Sequence, residues 1–228
     1  MLCHEYKCIY IHIPKVAGLS VHSFFADLLG YKLKAHAPLS LKAGHIKARD
    51  FLAHGLIDRE VFDRYFKFAF VRNPWDRIVS EYKFRGHPRK FSFKTFLFKN
   101  LPDPSEDDQY IHILPQHEFL FDTEGQQLVD FIGKFEQIHE DFHHVCQVLD
   151  VAESALPHRN KLPKFLNMPR SFEDACTTFR NSLSIEQKRN LKKNTYAHYT
   201  EYYDDESREF VASLYQKDIE AFAYKFDK

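Results

Sequence analysis

An excess of charge of either sign is missing from this sequence: 32 Lys and Arg are matched by 32 Asp and Glu, for a formal net charge of +0. A duplex-DNA binder relies on a basic excess or a dense basic stripe. Nucleic acid is therefore not the expected partner, and any anionic ligand has to be held by local groups. Paired cysteine motifs are missing too. Cys3, Cys8, Cys146 and Cys176 form no C-x-x-C pair. With no signal-like segment at the start, they read as reduced thiols of a cytoplasmic protein. No stretch approaches the ~18 apolar residues of a membrane span. Internal repeats and low-complexity tracts are absent, and so is a G-x-x-x-x-G-K-[ST] loop, which argues against an ordinary Walker-type phosphotransferase.

Core-forming material, by contrast, is plentiful. Apolar residues make up 44% of the 228, with 23 Phe and 12 Tyr, enough for a single domain over 1–228. The chain is organised around Cys8 to Phe25. Ile9, Ile11 and Ile13 alternate with Tyr10 and His12 as a strand requires, and Pro14 ends the ladder. Lys15, Val16, Ala17, Gly18 and Leu19 form a short turn. From Ser20, which is placed to act as an N-cap, Val21, Phe24, Phe25 and Leu28 take up helical spacing. Free N–H groups at a helix N-terminus beside a lysine make a phosphate cradle.

A second strand-to-helix junction follows at residues 68 to 82, FAFVRNPWDRIVSEY. Lys67 to Val71 is a buried strand and Arg72 leaves its end. Asn73 caps, Pro74 fits the first helical position, and Ser80 lies about two turns further on. In an open parallel sheet, ligands gather outside the carboxyl ends of strands near a topological switch. Two phosphate-grade junctions at one end suggest a ligand with two separated phosphates. Elsewhere the pattern predicts helices over 43–56, 58–66, 87–100 and 136–149, short strands at 116–121 and 128–135, and one C-terminal helix over 206–226. Prolines 157, 163 and 169 mark 151–200 as a variable region that shapes a substrate cleft. The alternation of helices and strands predicts a three-layer α/β sandwich around a central, mainly parallel sheet.

IPKVAGLS followed by FVRNPWDRIVSEY resembles the carbohydrate sulfotransferase family, whose members read IPKTAGTS and FVRNPWDRLVSAY in these places. The resemblance extends to DFIGKFEQIHEDF (130–142) and YQKDIEAFAYKF (215–226). It implies a P-loop-like fold that binds 3′-phosphoadenosine 5′-phosphosulfate (PAPS), sulfates a carbohydrate hydroxyl and releases 3′,5′-diphosphoadenosine, with no metal. By motif match, Lys15, Val16, Ala17, Gly18, Leu19 and Ser20 hold the 5′-phosphosulfate end, while Arg72 and Ser80 hold the 3′-phosphate. Lys15 is also placed to stabilise charge on the leaving phosphate. The two threonines of the family's first loop are Val16 and Leu19 here, so a catalytically inactive nucleotide- or glycan-binding relative is the competing expectation.

In-line transfer needs a base for the acceptor proton. The histidine candidates are His36, His45 and His54, with Glu60 as a weaker alternative. GHIKARDFL resembles the family segment that carries the histidine, which favours His45. His12, alternating on a strand, reads as a packed core histidine. Arg72, Asp76 and Arg77 also fit a plain ion network at a helix start. The basic run His158, Arg159, Lys161 and Lys164 fits either an anionic glycan or a solvated loop. His139, Glu140 and His143 form an H-E-x-x-H match to a zinc hydrolase. No third ligand follows, and the same segment fits an amphipathic helix with Phe142 inward, so no metal site is expected.

Overall fold

A computed structural model describes residues 1–30, 44–105, 107–152, 156 and 183–227. Among the described residues, four strands form one sheet in the order β1-β2-β3-β4: β1 (Leu2–Cys3), β2 (Cys8–Ile11), β3 (Phe66–Val71) and β4 (Phe131–Lys134). β1 pairs antiparallel with β2, whereas β2–β3 and β3–β4 are parallel. Near-continuous apolar sequences such as CIYI and FKFAFV belong to parallel strands covered on both faces. Tyr10 stacks on Phe68 across β2–β3 at 5.1 Å. That face packs on α1 (Gly18–Leu28) and α8 (Ile138–Val148), whose Phe24 and Phe142 rings meet edge to face at 4.8 Å. Ile9, Ile11, Ala69 and Val71, on the other face, are equally free of solvent. The result is an α/β fold around a mainly parallel sheet, as the sequence predicts.

Gly133 in β4 permits a close approach. A Cβ there would stand 2.6 Å from the Phe70 ring and 2.9 Å from Asp141 Cβ, so any larger residue would push α8 off the sheet. Phe142 points inward, as expected. Asp141 accepts from the Lys134 N–H and His143 pairs with Gln147. Among the described residues no group of three or more His, Cys, Asp or Glu is arranged to hold a metal ion, and no helix is long and apolar enough to cross a membrane.

Several predicted elements change shape. The helix expected over 43–56 is only α2 (Asp50–Ala53); residues 44–49 before it are irregular and carry His45. α3 spans Arg59–Arg64, with Asp58 capping the Val61 N–H, and Glu60 is paired with Arg64 on its exposed side. α4 (Pro74–Phe84) begins as predicted, with Asn73 Oδ1 accepting from the Trp75 N–H. In place of one helix over 87–100 there is a 3₁₀ turn at His87–Arg89, then α5 (Phe93–Lys99). α6 (Asp107–Tyr110) enters the following segment.

The strand expected at 116–121 is instead a helix, α7 (His117–Leu120). Buried Asp218 accepts from the N–H groups of Gln116 and His117 and ties down its start. Of 151–200, only 151–152, 156 and 183–200 are described, including α9 (Ile185–Lys193) and a 3₁₀ turn at Tyr199–Tyr202. The predicted C-terminal helix is two, α10 (Asp205–Leu214) and α11 (Gln216–Phe222). They break at Tyr215, whose hydroxyl donates to the Ile113 carbonyl at 2.7 Å.

Candidate active site

The loops that leave β2 and β3 carry the two motifs. Parallel pairing of β2 with β3 puts both loops at the same end of the sheet, side by side. The order of the described strands contains no reversal of the kind a topological switch requires. Direct adjacency does that work here.

In the first loop, Lys15 (φ 69) and Ala17 (φ 63) both adopt the left-handed region, a conformation that costs a non-glycine residue of order 1–3 kcal/mol. This tight turn starts α1 at Gly18 rather than after Ser20. The N-cap is Ala17, and no side chain caps the helix. Ser20, expected as the cap, instead lies inside the first turn, buried, with its N–H bonded to the Ala17 carbonyl at 2.8 Å. An uncapped N-terminus leaves amide donors for an anion.

The substitutions Val16 and Leu19 have separate fates. Val16 is wholly buried in the core, and Leu19 is 56% exposed. Neither side chain offers a donor, so the loop's contribution comes from its backbone and from Lys15. Gly18 is fixed by close packing, because a Cβ there would collide with the His12 imidazole.

The Lys15 ammonium lies 3.7 Å above the centre of the Phe84 ring. Burial lowers it to about 8. The Glu81 carboxylate works against that shift, and the charges of Arg72 and Arg85 add to it. Arg72 donates from Nε to Asp76 Oδ2 at 2.8 Å and from Nη1 to the Lys15 carbonyl at 3.1 Å. Its guanidinium lies 4.2 Å from the centre of the Phe135 ring, and Gln116 brackets its backbone on both sides. The ion pair with Asp76 is thus real, but the same guanidinium also binds the neighbouring motif. Ser80 lies half-buried further along α4. Arg77 is buried and donates to the Pro14 and His112 carbonyls, fastening both segments to α4.

His45 reaches this end of the sheet. Its Nδ1 is 3.0 Å from the His12 carbonyl. A carbonyl only accepts, so Nδ1 carries the proton and Nε2 keeps its lone pair. Burial, partly offset by that hydrogen bond, lowers His45 to about 4. His12 packs 4.4 Å from His45 and 5.0 Å from His22, ring centre to ring centre, and is held well below its ordinary value, chiefly by burial. It is the packed histidine that the sequence suggests, yet it belongs to the site's floor. His54, on the turn after α2, is exposed. His36 and the basic run at 158–164 lie outside the described residues.

Two participants escaped the sequence reading. Glu81 on α4 is almost fully buried and takes hydrogen bonds from Arg85 Nε at 2.7 Å and His112 Nδ1 at 3.0 Å. Burial alone would raise its carboxyl. The bonds from His112 and Arg85 and the charge of Lys15 outweigh that, so the group sits below its usual range. His112 packs edge-on to His45 at 5.0 Å and parallel to Phe84 at 6.0 Å. The Glu81–Arg85 spacing of four was readable as a helical ion pair. The link to His112, 31 residues away, was not.

The chain is 31% identical over 101 residues to an uncharacterized protein of Archaeoglobus fulgidus, covering 42% of this chain and 78% of that one. It is 24% identical over 224 residues to carbohydrate sulfotransferase 11 of Mus musculus and of Rattus norvegicus, covering 82% of this chain. It spans 61% of the length of those two relatives. No solved structure matches the chain significantly. The profile of the Sulfotransferase family matches residues 1–225, which include both strand-to-helix loops and the β4–α8 unit; the chain belongs to the Sulfotransferase family.

Proposed function

We propose that this chain is a PAPS-dependent sulfotransferase that sulfates a carbohydrate hydroxyl. The observation that carries the reading is the bond from Arg72 to the Lys15 carbonyl, which joins two cationic junctions into one anion-binding surface. Its donor set fits a nucleotide with two separate phosphate groups: an uncapped helix N-terminus with Lys15 on one side, and the Arg72 fork with Ser80 on the other. PAPS, when bound, supplies the activated sulfuryl group. Lys15 and the loop amides hold the end where bonds change and balance the charge that builds on the leaving phosphate oxygen. Arg72 and Ser80 hold the 3′-phosphate. An imidazole beside the loop accepts the acceptor proton, and His45, neutral with Nε2 open, is the candidate named by the family resemblance. The carbohydrate acceptor is inferred from the names of the mouse and rat relatives.

Calorimetry tests the two-phosphate surface. The expected result is tight binding of 3′,5′-diphosphoadenosine and much weaker binding of ATP and 5′-AMP; equal affinities would overturn the reading. Transfer of labelled sulfuryl from PAPS to a panel of polysaccharides tests the reaction itself. Tight binding without transfer to any acceptor would identify an inactive nucleotide-binding relative.

A further inference from the structure

The imidazoles His45 and His112 stand side by side in the site, but their surroundings differ in kind. His45 Nδ1 donates to a neutral carbonyl, that of His12, and the ring faces two further imidazoles, His12 and His112. Among the described residues no carboxylate bonds to it, and the raising influence of the Glu81 charge comes last, behind burial, His112 and Arg77. His112 Nδ1 meets the carboxylate of Glu81 at 3.0 Å. An ionised carboxylate only accepts, so His112 Nδ1 carries a proton, and in the neutral ring the lone pair lies on Nε2. Glu81 is anchored from its other side by Arg85, which fixes the carboxylate against the ring.

We propose that His112, oriented by Glu81, is the group that takes the acceptor's proton, and that His45 is a neutral positioning residue beside it. The proposal rests on the sulfuryl-transfer reading above. In the step, the acceptor O–H bond breaks and its proton passes to Nε2 of His112, while the acceptor oxygen forms a bond to sulfur. The bond from sulfur to the phosphate oxygen breaks, and its electron pair leaves on 3′,5′-diphosphoadenosine. The resulting imidazolium of His112 keeps its Nδ1–H on Glu81, so positive charge appears next to a buried carboxylate already in place. Preorganised opposite charge of this kind stabilises a transition state without reorganisation. Among the described residues, the charged and titratable groups around His112 are Glu81 and Arg85 of α4, Arg77 at its backbone carbonyl, His45 in the 44–49 segment, His12 beneath it, and Lys15 above Phe84. Of these, Glu81 alone is negative. His112 retains some solvent exposure, so a substrate can approach it.

The test combines three variants with wild-type protein, using PAPS, an accepted polysaccharide and 3′,5′-diphosphoadenosine as probes. His112→Gln is expected to lose about 10²- to 10⁴-fold in kcat, with affinity for the bisphosphate unchanged. Added imidazole is expected to restore part of the activity of His112→Ala but none of His45→Ala. Glu81→Gln, assayed at saturating donor, is expected to displace the acid limb of the pH–rate profile, which a purely structural role would leave in place. If His112→Gln keeps its rate to within about tenfold, or if imidazole rescues His45→Ala instead, the assignment is wrong. If the wild-type protein binds the bisphosphate no better than 5′-AMP and transfers nothing, the sulfotransferase reading fails and this assignment falls with it. Transfer that survives in His112→Gln overturns the assignment alone.

Discussion

Arg72 donates through Nη1 to the carbonyl oxygen of Lys15 at 3.1 Å while its Nε and Nη2 are taken up by Asp76. One guanidinium therefore sets the spacing between the two junctions as well as offering charge. A lysine could not replace it, since a single ammonium lacks the planar fork that serves two acceptors at once.

Replacing Arg72 with Ala should remove at least one charge-assisted bond to a 3′-phosphate, worth roughly 1.5–3 kcal/mol, or about 10- to 150-fold in affinity. Binding of 3′,5′-diphosphoadenosine should weaken by that factor while binding of 5′-AMP changes little. Arg72→Lys should recover only a small part of the loss. Calorimetric titration of both nucleotides into the three proteins checks this, and an equal loss for both ligands would mean that Arg72 acts on the loop alone.

Lys15→Ala should cost on the order of 10²–10³ in kcat, the scale seen when a donor to a developing oxyanion is removed. Because burial sets the Lys15 ammonium at about 8 in the ligand-free protein, the log of bisphosphate affinity should start to fall as pH rises through about 8. Lys15→Arg should move that fall to much higher pH. Affinity measured across the range would show no such bend if Lys15 does not touch the ligand.

Gly18→Ala should abolish nucleotide binding and destabilise the fold, because the new methyl group meets the His12 ring. That ring is boxed in by Tyr10, His22 and His45 and has nowhere to move. Removing the obstacle in a Gly18→Ala, His12→Ala double variant should recover part of the stability. Urea denaturation of the single and double variants gives the coupling, and strict additivity would count against the contact.

Stability should fall with acidification earlier than carboxylate protonation alone would produce. His12 and His45 stay neutral in the folded protein at pH values where unfolded histidines, near 6.5, already bind protons. Folded pKa values below unfolded ones mean that the unfolded state gains protons first, so stability is lost as pH drops from about 6.5 towards about 4. Glu81, with its carboxyl held low, adds a further loss only below the ordinary carboxylate range. Urea midpoints measured across this window should show a smaller slope in His45→Gln than in the wild type.

The two junctions were legible in the sequence for a physical reason: each is a local event. A run of β-enriched residues, a proline that stops it and an Asn-Pro start are all encoded within ten residues. The left-handed residues Lys15 and Ala17 broke that legibility. Neither is a glycine, so nothing local announced that α1 would begin three residues early and leave Ser20 inside its first turn. The segment 116–121 has strand-like composition, yet Asp218 receives the N–H groups at its start and turns it into helix. Tyr215 similarly divides the last helix through a bond to Ile113. Glu81 and His112 meet only after α4 and the chain beyond it have folded back, so no spacing rule could pair them.

Val16 leaves one more consequence. Its side chain lies wholly within the core although the residues on either side of it are the strained, left-handed Lys15 and Ala17. The loop is thus tethered: its apolar residue shares the free energy of the whole domain, and the shape of the anion cradle cannot relax without disturbing the interior. A ligand that binds only the folded loop raises the unfolding free energy by RT ln(1 + [L]/Kd). In this chain, trimming Val16 to Ala should lower the melting temperature and the ligand-induced rise together, making thermal denaturation a gauge of cradle geometry that needs no acceptor at all.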